Sequence, residues 1–121
     1  MGDYRTLIAY KKAFALAMRI YHASKKFPKD EKYGLTSQIR NSSRSVCANI
    51  VEAYKRRRYQ GYYVSKLNDS ETENAETQLW LDFASECFYL DKKEYEEFKS
   101  ENDEVAKLVL YMINHPEKFC R

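Results

Sequence analysis

Glycine and proline are scarce in this chain: three glycines (Gly2, Gly34, Gly61) and two prolines (Pro28, Pro116) in 121 residues. An all-β fold needs many tight turns, and so few turn formers exclude one. They also leave no glycine-rich loop to cradle a phosphate. Long apolar runs are missing too. No stretch of 18 apolar residues could span a bilayer, and none of signal-peptide length follows Met1, so the expected compartment is the cytoplasm. Cysteine is limited to Cys47, Cys87 and Cys120, an odd number without CxxC or Cys/His ligand spacing. These read as buried, reduced thiols rather than a disulfide framework or a metal site.

What is present is helical. At 44% apolar and 32% charged residues, a chain of this length is expected to form one domain over 1–121 with a real core. Apolar residues recur at spacings of 3 and 4 in four segments, which predicts helices at about 6–26, 35–58, 62–90 and 92–114. The first carries two adjacent stripes. One is Leu7, Tyr10, Phe14, Ala17 and Tyr21; the other is Ala13, Leu16, Ile20 and Ala23. A helix apolar over two stripes touches more than one neighbour. Phe27-Pro28 closes the first helix and Gly61 is expected to terminate the second. Asp91 with Glu94 has the spacing of a capping box at the start of the fourth. Short connections between the later helices make neighbours antiparallel, so the expected fold is an all-α, up-down-up-down four-helix bundle. Phe14, Ile39, Val46, Leu67, Leu81, Val105 and Val109 are the expected core.

Two stripes turn polar in their middles. Ser42 and Asn49 lie on the second, and Ser70, Asn74 and Thr77 on the third. Antiparallel pairing about a corner near residue 60 brings them to one level, as a hydrogen-bonded polar layer that fixes helix register or lines a polar pocket.

Charge divides along the chain. Residues 1–66 carry 15 Lys/Arg against 4 Asp/Glu, net +11, and residues 67–121 carry 6 against 14, net −8. The densest run is Lys55-Arg56-Arg57-Arg58, with Arg40 and Arg44 earlier on the same helix. Cations suit a helix C-terminus. Guanidinium groups also pair bidentately with phosphates, which makes these six residues a candidate nucleic-acid contact, with Tyr54, Tyr59, Tyr62 and Tyr63 nearby to stack on bases. A second outlet for the split charge lies between subunits, where the basic face of one copy docks on the acidic face of the next in a ring or filament.

The stretch Phe27-Pro28, Glu31 and Tyr33 through Arg40, followed by Ser45, Ala48, Asn49, Ile50 and Glu52, resembles a family pattern that reads FPxxExYGLTSQIRRA and then SIPANIAEG. That pattern belongs to small bacterial four-helix-bundle proteins first noticed as open reading frames within 23S rRNA intervening sequences. Ala75 to Ala84 (AETQLWLDFA) is similar to a branch of the same family. Departures are Asn41 and Ser42 where the pattern has Arg-Ala, Val46 for Ile, Cys47 for Pro, Val51 for Ala and Ala53 for Gly; losing the proline implies a straighter second helix. The resemblance implies a left-handed bundle, assembly into a homopentameric ring and no established enzymatic activity. It implies more distantly a likeness to the accessory protein of diversity-generating retroelements, a basic pentameric barrel that binds nucleic acid and a reverse transcriptase.

Catalytic constellations are not visible. Di-iron bundles need Glu-x-x-His pairs, but Arg19 precedes His22 and Met112 precedes His115 at that spacing. Nucleophile elbows, zincin helices and P-loops are absent. Glu52, Glu73 and Glu76 read as solvated or structural carboxylates. The expected function is therefore non-catalytic, without metal or cofactor: a homo-oligomer that binds RNA or DNA independently of sequence, or else a structural or protein-interaction scaffold.

Overall fold

The apolar stripes wind into four helices: α1 (Ile8–Ser24), α2 (Leu35–Lys55), α3 (Gln60–Glu86) and α4 (Lys92–Asn114), with single 3-10 turns at Tyr4–Thr6, Lys29–Glu31 and Pro116–Lys118. The computed structural model describes residues 2–120, and no strand occurs among them. α1 packs on α2 and α4, and α3 packs on the same two, so the helices stand in a square with consecutive ones adjacent. Leu16, Ile20, Ile39, Val46, Ile50, Leu67, Leu81, Val105 and Val109 fill the centre. No helix is long and apolar enough to cross a membrane among the described residues.

Each helix end has a local cause. α1 starts later than its periodicity suggests because Asp3 caps a 3-10 turn, accepting the Arg5 N–H at 2.9 Å, before the helix proper begins. The α2 N-terminus is satisfied from outside the helix: the Glu31 carboxylate accepts the Leu35 N–H at 3.0 Å. A side chain on Gly34 would put Cβ 2.7 Å from that same oxygen, so a larger residue there would push the Glu31 carboxylate away from the Leu35 N–H. The other Glu31 oxygen accepts the Tyr89 hydroxyl at 2.9 Å, tying α2 to the α3–α4 corner. The expected capping box is present: Glu94 N–H donates to Asp91 at 2.7 Å and Asp91 N–H to Glu94 at 3.2 Å.

Two ends differ from expectation. Gly61 does not terminate α2; it lies in the first turn of α3, and among the described residues no glycine has a positive φ. The left-handed residue is Phe88 instead, at φ 61° just past α3. Its N–H bonds Ser85 O at 3.0 Å and the Tyr89 N–H bonds Ala84 O at 2.9 Å, the two bonds of a Schellman motif built without glycine.

Phe14 also departs from the expected core: it is 50% exposed. Only one of the two α1 stripes fits the centre, and Ala13, Leu16 and Ile20 take that place. The stripe with Tyr10 and Phe14 is left at the α1–α2 surface.

The polar layer forms around a different set of residues. Thr77 donates to Ser42 at 2.9 Å and Ser70 to Val46 O at 2.9 Å, joining α2 to α3. Asn74 donates to the Asn102 side-chain oxygen at 2.9 Å, and Asn102 donates to Asn74 O at 3.1 Å, joining α3 to α4. Asn49 is not a member. It is half-buried and donates to Ser45 O on its own helix at 2.9 Å. The Val46–Ser70 register leaves it nearly a turn closer to the α2–α3 corner than this layer. The place expected for it is taken by Asn102 of α4, which is 2% exposed and bonds Asn74.

Candidate nucleic-acid interface

The six cationic candidates do not form one patch. α2 rises 1.5 Å per residue, so Arg44 and Arg56 stand roughly 18 Å apart along it. Lys55, Arg56 and Arg58 are exposed at the α2–α3 corner, where residues 55–59 line a cleft of about 440 Å³. Arg56 lies over the Tyr62 ring at 5.1 Å, which leaves its guanidinium edge free. Arg57 is turned inward. It is only 7% exposed, donates to Tyr54 O at 2.7 Å and stacks 3.9 Å over the Tyr54 ring. That arginine closes the C-terminus of α2, where the Tyr54 carbonyl otherwise receives only a long 3.3 Å bond from the Arg57 N–H. Of the tyrosines, Tyr59 and Tyr62 are exposed; Tyr54 and Tyr63 are buried and cannot stack on a base.

Arg40 and Arg44 belong to a second group around Tyr21. Arg40 lies 4.7 Å, Arg44 5.6 Å and Lys25 4.9 Å from that ring. Arg40 is held in place by donating to the buried Ser24 hydroxyl at 2.7 Å. No carboxylate pairs with any of the three among the described residues. Lys25 escaped notice in the sequence, although Tyr21 and Lys25 sit four apart on one helix face.

Part of the split charge is neutralised within the bundle. Lys12–Glu104 (3.6 Å), Arg19 with Glu97 (3.4 Å) and Glu101, and Lys26–Glu94 (2.9 Å) form a seam between α1 and α4. Such exposed pairs contribute roughly 0–1 kcal/mol each. Glu52 pairs with Lys66 at 3.3 Å. Burial, then the neighbouring Glu76 and Asp69 carboxylates, push the Glu73 carboxyl up. No group of three or more His, Cys, Asp or Glu is arranged to hold a metal among the described residues. The cysteines are free; Cys87 is exposed rather than buried, while Cys47 and Cys120 are half-buried. Burial raises the Cys47 thiol to about 11, so it is neutral and unreactive near pH 7.

A family model described as 23S rRNA-intervening sequence protein matches residues 5–111. The chain belongs to that family. A solved structure from the S23 ribosomal protein family of Bacteroides thetaiotaomicron, itself of unknown function, is similar to it at 28% identity and a TM-score of 0.80, over 88% of this chain and 96% of that one. No curated protein matches. Within this intervening-sequence protein, the motif residues that drew attention in the sequence are largely architectural. Glu31 and Gly34 build the α2 entrance, Arg40 is fixed by Ser24, and the Asn49 side chain donates to the Ser45 backbone carbonyl along α2.

Proposed function

We propose that this intervening-sequence protein is a non-catalytic homo-oligomer of the cytoplasm that binds RNA or DNA through its phosphates, without reading sequence. The observation carrying the reading is a set of cations without carboxylate partners in two places: exposed Lys55, Arg56 and Arg58 at the α2–α3 corner, and exposed Lys25 and Arg44 with half-buried Arg40 around Tyr21. Guanidinium groups on rigid helices suit phosphate oxygens, and no base-reading constellation accompanies them. The family resemblance supports a closed ring, five subunits being the specific expectation. A ring repeats both cationic groups around its axis, so weak contacts combine through multivalency.

The test is binding of single-stranded RNA and duplex DNA at about 50 and 200 mM salt, with Arg56→Glu/Arg58→Glu as the variant and Arg57 left in place. Affinity is expected to fall steeply with salt, and each lost contact to lower the log–log slope by about 1. Equal binding by the variant clears the corner of the role. Absence of binding by the parent at low salt removes the nucleic-acid reading and favours a protein-interaction scaffold, for which the exposed Phe14 and Phe83 side chains speak.

A further inference from the structure

Two apolar rows on different helices keep their largest side chains in solvent: Phe14 and Met18 on one, Leu79 and Phe83 on the other. On α1, Tyr10, Phe14 and Met18 step by four, and together with Cys47, Ala48 and Val51 of α2 they line a furrow of about 330 Å³. On α3, Ala75, Leu79 and Phe83 step by four on the exposed face, with Leu79 45% and Phe83 51% accessible. Each row spans ~12 Å at 1.5 Å per residue. Rows of i, i+4 side chains are the ridges that interdigitate when helices pack. Within one chain these two cannot meet, because α1 and α3 occupy opposite corners of the square, each packed on α2 and α4.

The borders of the rows carry opposite charge. α1 has no Asp or Glu at all. Lys11 and Arg44 flank the furrow, Lys25 extends it, and none of the three has a carboxylate partner among the described residues. Glu76, Asp82 and Glu86 flank the α3 row, and none of them is paired with a cation among the described residues. The internal ion pairs use the far side of α1, so this complementarity is left unspent.

We propose that the α1–α2 furrow of one protomer receives the α3 ridge of a second copy of this chain. The inference rests on the homo-oligomer reading above and names the two faces that make the contact. Furrow and ridge are different surfaces, so the contact is heterologous: every protomer offers one of each, and assembly proceeds head to tail until the ring closes. Phe14 and Phe83 are the apolar anchors, and the charged borders set orientation and partner. The same contact accounts for the exposure of Phe14 and Met18 on α1, which the core leaves uncovered.

Head-to-tail pairing is tested by complementation. A furrow variant, Phe14→Ala/Met18→Ala, and a ridge variant, Leu79→Ala/Phe83→Ala, alter only exposed side chains, so both should keep the parent's helicity and thermal unfolding. In sedimentation equilibrium each alone is expected to run as a 14.4 kDa monomer where the parent assembles. Mixed in equal amounts they should form a dimer and stop, since one intact furrow and one intact ridge remain per pair. As a second probe, Glu76→Lys/Glu86→Lys should weaken association about tenfold or more at low salt. Variants that assemble like the parent overturn the assignment of faces while leaving oligomerisation standing. A mixture that stays monomeric overturns the head-to-tail pairing. A monomeric parent overturns both this inference and the homo-oligomer reading.

Discussion

The Asn74–Asn102 pair offers a stability experiment whose sign depends on whether one partner is removed or both. The two side chains are 6% and 2% exposed and exchange hydrogen bonds at 2.9, 3.1 and 3.2 Å across the α3–α4 interface. Leucine matches asparagine in shape but supplies no hydrogen bond. Asn74→Leu leaves the Asn102 side-chain oxygen without its donor, and Asn102→Leu takes from the Asn74 amide its closest acceptor. Each is expected to cost about 1–3 kcal/mol, the penalty for a buried polar group that loses its partner. Asn74→Leu/Asn102→Leu removes both polar groups together, and the backbone carbonyls they touch keep their helical donors. The double variant should therefore lie within about 1 kcal/mol of the parent, so that the coupling energy approaches the two single losses taken together, roughly 2–6 kcal/mol. Urea unfolding of all four proteins measures the cycle, with the m-values checked for constancy. Additive losses would refute the reasoning, because they would mean that each asparagine is held by something other than its partner.

Phe88→Gly should stabilise the protein by about 1 kcal/mol, because a left-handed residue with a Cβ costs ~1–2 kcal/mol and the extra freedom of glycine in the unfolded chain returns part of the gain. The phenylalanine ring is 92% exposed and its removal uncovers nothing, so a lower melting temperature in calorimetry would refute the strain assignment. High pH should weaken the α2 entrance. The Glu31 carboxylate accepting its proton raises the Tyr89 hydroxyl from 10.0 to about 12, so the folded state holds this proton more tightly than the unfolded one. The stabilisation is complete below pH 10 and is lost as pH rises toward 12. The stability gap between the parent and Tyr89→Phe in urea titrations should accordingly close over that window, and a gap that stays constant would show that the bond to Glu31 does not discriminate the protonated phenol.

Much of the architecture was legible in the sequence because it depends on local angles. The 3–4 spacing places the side chains of Ile39, Val46, Leu67, Leu81, Val105 and Val109 on one side of each helix, and all six are buried. Asp91 and Glu94 close their capping box within a single turn, so the pair can be read without knowing what surrounds it. Periodicity gives a direction about a helix axis, but it does not say which of two apolar directions faces the centre. Both α1 stripes were apolar, and only packing against α2 and α4 decided that Ala13, Leu16 and Ile20 face inward and Phe14 outward. Register between helices is likewise non-local. The polar layer was visible as a level in the bundle, but Asn102 replaced Asn49 because a shift of less than one turn moves an amide away from its partners. The fate of the arginine run was decided the same way. Lys55 through Arg58 look alike in sequence, yet the tight α2–α3 corner leaves the Tyr54 carbonyl short of a donor. Arg57 alone points back at Tyr54 to supply one, while Arg56 and Arg58 remain in solvent.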